Sequence, residues 1–168
     1  SNQAELNAVE QQNILQAREW LATRRKIDVL NERFLRDLHQ RMLGDVWKWA
    51  GKFRRSDKNI GVTWTEVPTA LRTLLDDTRY WLAQTTYPWD EIGARFHHRL
   101  VSVHCFANGN GRHARLATDV LLATHGREPF TWGSGNLIAH GDVRQRYLAA
   151  LRLADDKKYV GLLTFVRS

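Results

Sequence analysis

His104-Cys105-Phe106-Ala107-Asn108-Gly109-Asn110-Gly111-Arg112-His113-Ala114-Arg115 is the stretch from which the rest of the chain reads. Phe96, Leu100 and Val103 precede it and Leu116, Val120 and Leu121 follow it at helical spacing, so it is expected to be a glycine-rich turn between two buried helices. A polar turn in that place suits an anion. Gly109 and Gly111 remove two Cβ atoms where the second helix begins, so a phosphate can approach backbone N–H groups that lack intrahelical partners and lie at the positive end of the helix dipole. Arg112 and Arg115, three residues apart, share a helix face one turn on, where forked guanidinium groups can hold further phosphate oxygens. His104 closes the preceding helix and can take a proton near neutral pH.

These residues closely resemble the motif of the Fic family, His-x-Phe-x-Asp/Glu-Gly-Asn-Gly-Arg-x-x-Arg, and match each fixed position except the one held by Asn108. Further segments, 30–35, 47–51 and 144–148, resemble the Fic relatives called mobile mystery protein B, so the likeness covers nearly the whole chain. The resemblance implies one all-α Fic domain over residues 1–168, a helical bundle with a short β-hairpin flap. It implies a protein adenylyltransferase, which transfers AMP from ATP to a Ser, Thr or Tyr hydroxyl of a target protein or of itself, with Mg2+ bridging the phosphates. His104 would be the general base and Phe106 would point inward. Gly109, Asn110 and Gly111 would hold phosphates through backbone donors and the Asn110 side chain, while Arg112 and Arg115 grip the β- and γ-phosphates. His113 lies off the motif and is expected to be exposed.

Asn108 stands where the family carries the carboxylate that holds magnesium. One neutral carbonyl oxygen is a poorer ligand for that hard cation. Three outcomes stay open: AMP transfer with weaker metal dependence, transfer of a different phosphate-containing group, or an inactive nucleotide-binding remnant. Removal of AMP from modified targets is a further possibility within the family.

The N-terminal segment 1–25 has a helical stripe of Leu6, Val9, Asn13, Ile14, Ala17, Trp20 and Leu21. Some Fic proteins carry an inhibitory helix with Ser/Thr-x-x-x-Glu-Gly/Asn. Ser1 and Glu5 fit that pattern, Leu6 does not, and Asn7 comes one place late. By resemblance, Glu5 would pair with Arg115 and restrain the site; Glu10 has no Ser or Thr four residues before it. The other reading of Glu5 is a first-turn acid that favours the helix dipole.

Composition sets the outer bounds. With 168 residues and 43% of them hydrophobic, the chain can bury a full core as one domain. It has no apolar run of about 18 residues and no secretory signal, and its one cysteine, Cys105, cannot form an internal disulfide, so a soluble cytoplasmic protein is expected. The excess of 25 Lys+Arg over 18 Asp+Glu gives +7, which raises nucleic acid as a partner from a different functional class. The charges are dispersed, however, and Arg24-Arg25-Lys26 is the one basic triplet, so a solvated surface that favours phosphorylated ligands is preferred.

The remaining chain supplies walls and connections. Residues 30–43 are expected to form a helix ended by Gly44, with His39 at the core edge; Trp47 and Trp49 are expected to be wall and core residues. Residues 52–65 lose the helical period and mix turn formers with β-formers, which predicts the hairpin. By resemblance Lys58, Asn59, Ile60 and Gly61 would dock the target by strand addition. Pro68 opens a helix to about Gln84, Asp90 is placed as N-cap of a helix to His104, and His97 and His98 lack neighbouring metal-ligand spacing. The loop 131–136 is rich in glycine and would line the base or ribose pocket; Asp142 and Asp155 are placed as caps of helices to Leu153 and Phe165.

Overall fold

The computed structural model describes residues 2–134, 137 and 141–168, without the side chains of Asn2, Asn7 and Glu10. Among them lie seven α-helices: α1 (Asn2–Ala22), α2 (Glu32–Leu43), α3 (Val67–Gln84), α4 (Trp89–Val103), α5 (Asn110–Thr124), α6 (Asp142–Asp155) and α7 (Val160–Val166).

Local chemistry explains most of the boundaries. Asn31 caps α2 by accepting from the Phe34 N–H at 3.0 Å, and the acidic Glu32 and basic Arg41 sit at the ends the dipole favours. Pro68 occupies the first turn of α3, where its missing N–H is no loss. The chain leaves α4 through His104 in the left-handed conformation (φ 55) and enters α5 through Gly109, also left-handed (φ 76). The pair α4–α5 is thus folded back on itself around the 104–109 turn, which is the arrangement the flanking periodicity predicted.

α4 and α5 are central because each buries two faces. On one side Phe96, Leu100, Val103, Ala114, Leu116, Ala117 and Leu121 pack with Ala17 of α1, Phe34, Leu38 and Met42 of α2, and Leu71 and Leu74 of α3. On the other, Ala94 and Leu122 meet Tyr147, Ala150 and Ala154 of α6, Leu162 and Phe165 of α7, and Trp132. Burial of each large side chain contributes roughly 1.5–3 kcal/mol, and that packing holds the turn at the edge of the bundle.

Several expectations change. Residues 52–63 hold no strand: the segment is a chain of bends followed by a single 3-10 turn, Trp64–Glu66. The expected hairpin is replaced by side-chain ties, because Asp57 accepts from the Trp64 N–H at 2.8 Å and the buried Arg54 collects loop carbonyls from within. Asp90 is not the cap of α4, which starts after Pro88; it lies in the first turn and pairs with Arg167 at 2.8 Å. Gly141, not Asp142, caps α6, and Tyr159, not Asp155, caps α7. Asp155 instead accepts from His98 at 2.8 Å. Val9, assigned to the apolar stripe of α1, is exposed; among the described residues of that helix the buried ones are Asn13 and Ala17.

Candidate active site

The 104–115 stretch forms one wall of a cleft of about 500 Å³. His104, Asn108, Gly109, Asn110, Gly111, Arg112 and Arg115 all line it, with Ile60 from the 52–63 loop, Trp47, and Arg144, Tyr147 and Leu148 from α6. The turn is held by contacts its own residues make. Gly109 is left-handed, and a Cβ there would stand 2.3 Å from Leu43 Cδ1, a fully buried atom, so glycine is required both by conformation and by space. Gly111 has less constraint: an added Cβ would lie 3.3 Å from Arg115 Nη1.

Asn110 plays a different part from the one expected. Its Oδ1 accepts from the Phe106 N–H at 3.0 Å and its Nδ2 donates to the Phe106 carbonyl at 2.8 Å, in a nearly closed environment. The side chain is therefore a clasp across the turn, and only its backbone N–H is aimed with the helix terminus. Phe106 points inward as expected, stacked on His39 at 3.8 Å. His113 is not exposed. It is buried, edge-on to Phe106, and bonded through Nε2 to the Leu35 carbonyl at 2.8 Å, because it follows Gly109 by one helical turn on the inward face of α5.

His39 holds the turn from beneath. Its Nδ1 accepts from the Gly51 N–H at 2.9 Å, which leaves Nε2 as the protonated nitrogen that donates to the Asn108 carbonyl at 2.9 Å. Burial pushes its pKa down to about 4, so it stays neutral in this role.

His104 is half-buried. Its Nδ1 is enclosed without a hydrogen-bond partner, and the residue lines the cleft. Burial lowers the imidazole below its ordinary value, and the Arg54 and Lys58 charges lower it further. A neutral imidazole at pH 7 can accept a proton. A non-glycine residue in left-handed backbone costs about 1–2 kcal/mol, so this conformation is imposed by the surroundings.

Arg115 lies over the Tyr147 ring, its Cζ 5.3 Å from the centroid. Tyr147 in turn shares a 2.7 Å hydrogen bond with His97 Nε2, and His97 packs on Trp132 at 4.6 Å. Glu5 is exposed, does not line the cleft, and makes no ion pair with Arg115 among the described residues. α1 reaches the cleft through Gln3 and Leu6 instead, one residue to either side of the Ala4–Glu5 step. Ser1 and the side chains of Asn7 and Glu10 lie outside the described residues.

Of the expected docking residues, Ile60 is exposed at the loop tip and lines the cleft, and Gly61 packs its backbone against His104. Lys58 and Asn59 are exposed beside them. The loop 131–136 contributes core: Trp132 is buried and its indole N–H donates to both Asp119 oxygens at 3.1 Å, while Gly135 and Asn136 lie outside the described residues. Tyr147 and Arg144 are cleft residues that sequence reasoning did not single out for chemistry. Their cue was an Arg and an aromatic on one face of a late helix, indistinguishable there from ordinary surface and core.

The oxygen-donor side chain that the 104–109 turn offers to a hard cation is that of Asn108. Its Oδ1 accepts from the Gly109 N–H at 2.7 Å, and no group of three or more His, Cys, Asp or Glu that could hold a metal occurs among the described residues. One neutral, already bonded oxygen does not fit a protein-held magnesium site.

The fold is thus a helical bundle that sets the glycine-flanked start of α5, two guanidinium groups and a half-buried imidazole along one cleft. The chain belongs to the Fic/DOC family, whose model matches residues 29–122. It is 32% identical over 136 residues to "Protein adenylyltransferase Fic" of Drosophila melanogaster, covering 78% of this chain and 26% of that protein. The chain thus spans about a quarter of the length of such relatives. Fic-1 of C. elegans superimposes with a TM-score of 0.72 at 25% identity, over 92% of this chain and 46% of that one. BepC of Bartonella tribocorum, solved with bound AMPPNP, superimposes with a TM-score of 0.75 at 13% identity, over 98% and 85% of the two chains. No helix among the described residues is long and apolar enough to cross a membrane.

Proposed function

We propose that this domain is a protein adenylyltransferase that moves AMP from ATP to a hydroxyl of a target protein or of itself. The observation that carries the proposal is the convergence of His104, the Gly109–Gly111 backbone, Arg112 and Arg115 on one cleft. The name of the Drosophila relative and the AMPPNP in BepC support the same substrate class.

In this reading the triphosphate lies against the first amides of α5, and Arg112 and Arg115 take the β- and γ-phosphates. His104 Nε2 accepts the proton of the attacking hydroxyl. The oxygen bonds the α-phosphorus, the bond to the bridging oxygen breaks, and pyrophosphate leaves with its charge held by the two arginines. Asn108 would offer a nucleotide-borne magnesium at most one neutral ligand, and the ion would supply positive charge beside the phosphates. Ile60 at the loop tip would press on an extended target segment. α1 walls the cleft through Gln3 and Leu6, and if Glu5 of the same helix restrains the site, Glu5→Gly should raise labelling. A cytoplasmic setting agrees with Cys105, whose thiol is buried and pushed up to about 12, far from reactive.

Incubation with labelled ATP and magnesium tests the proposal. Labelled protein in a candidate lysate or in the domain itself is the expected result, and His104→Ala should remove the label while ATP still binds. Label that survives in His104→Ala would exclude the assigned base. Binding to duplex DNA that weakens steeply with salt, without any ATP binding, would favour the nucleic-acid reading.

A further inference from the structure

The Arg54 side chain is buried, and the carboxylate paired with it among the described residues, Asp57, is mostly exposed, its Oδ1 3.9 Å from Nη1. What Arg54 meets instead is a set of four backbone carbonyls. Nε donates to the His104 carbonyl, Nη2 to Val103 at 3.2 Å and to Val62, and Nη1 to Ser56 at 3.0 Å. Two of these oxygens belong to the C-terminal end of α4, at the candidate base itself. The other two are the shoulders of the 56–62 loop whose tip is Ile60. The Arg54 backbone N–H adds a bond to the Cys105 carbonyl at 3.0 Å.

We propose that Arg54 is a positioning residue for the transfer reaction, locking the candidate base His104 and the target-facing loop 56–62 into one unit through a single buried guanidinium group. The proposal rests on the adenylyltransferase reading for its consequence, but its geometry does not. A guanidinium group has five N–H donors in a fixed fork, so it can bind oxygens on two segments at once and hold their separation. A cation is also favoured at the C-terminal end of a helix, where the last carbonyls are unpaired. His104 needs such a hold, since it is left-handed and not glycine. Gly61 shows how tight the lock is: a Cβ there would stand 2.7 Å from His104 Cβ and 2.8 Å from Arg54 Nη2. The loop backbone therefore touches the base directly, and a target strand laid along Ile60 would meet a hydroxyl acceptor at a fixed offset.

Arg54→Gln, Arg54→Lys and Gly61→Ala test this, with melting curves to establish that each is folded. Arg54→Gln should lower transfer by about tenfold to a hundredfold, as a misplacement of the reacting groups by an ångström can, while ATP affinity changes little. Protease cleavage within 56–62 should accelerate. Arg54→Lys, which keeps the charge but not the fork, should recover part of the rate. The imidazole of His104, followed by NMR in labelled protein, should titrate at higher pH in Arg54→Gln and near its native position in Arg54→Lys. Arg54 and the loop residue Lys58 are the cations that act on it. A folded Arg54→Gln with native cleavage and native His104 titration would overturn the lock, whether or not transfer is ever detected. Should Arg54→Gln fail to fold, Gly61→Ala decides: it should free the loop and reduce transfer with ATP binding intact, and native behaviour in both would refute the proposal. Absence of transfer in the wild-type protein would instead strike at the adenylyltransferase reading and leave the loop and titration results standing.

Discussion

Replacement of Asn110 by alanine separates two roles that look identical in the motif. If the side chain served the phosphates, its loss would weaken ATP binding and leave the free protein stable. The structure gives it a donor and an acceptor bond to the Phe106 backbone, at 2.8 and 3.0 Å, in a site with 6% exposure. Alanine would leave a buried N–H and a buried carbonyl without partners, each costing about 1–3 kcal/mol, so a loss of about 3 kcal/mol is expected. For a chain of this size that corresponds to a fall in Tm of roughly 6–12 °C. Urea unfolding at pH 7, with calorimetry beside it, measures the change, and an unaltered m-value would show that the native state is still compact. A variant within about 0.5 kcal/mol of the wild type, the range of an ordinary surface substitution, that nonetheless binds ATP poorly would refute the clasp.

Acid should destabilise the fold well above the carboxylate range. His39, His97 and His113 are held down to about 4, 3 and 3, by burial first, so each stays neutral when folded but takes a proton near pH 6.5 when unfolded. Their contribution is complete above pH 6.5 and shrinks as pH falls; at pH 5 each costs about 2 kcal/mol, roughly 6 together. The urea midpoint should therefore drop sharply between pH 7 and 5, and an unchanged midpoint would contradict the burial of these rings. Gly109→Ala combines left-handed backbone with overpacking against Leu43, a loss of about 2–5 kcal/mol by thermal unfolding. Asn108→Asp keeps the acceptor for the Gly109 N–H and adds charge, so ATP titrations should show stronger binding with magnesium than without, by a wider margin than in the wild type.

The helices were legible because their signals are local. Apolar spacing placed α2, α3 and α4 within a residue or two, Pro68 marked the start of α3 chemically, and the glycine pair announced the turn between α4 and α5. What stayed hidden depends on partners far along the chain. His113 looks like a spare polar residue until the Leu35 carbonyl, 78 residues earlier, is beside it. Arg54 looks like one basic residue among many until four carbonyls from two segments surround it. The hairpin expectation failed for a related reason: turn formers and β-formers in 52–65 satisfy either a ladder or a set of side-chain ties, and the choice was made by Arg54 and Asp57. The three features expected at the site, base, cradle and arginines, share one short segment, and the flanking helices set it along one cleft.

The central claim is that the start of α5 and its arginines receive a triphosphate while His104 stands apart from binding. Calorimetric titration of ATP into the wild type, Arg115→Ala and His104→Ala tests it most directly. Binding that is lost in Arg115→Ala and retained in His104→Ala is the predicted result, and an Arg115→Ala protein that binds ATP as the wild type does would contradict it.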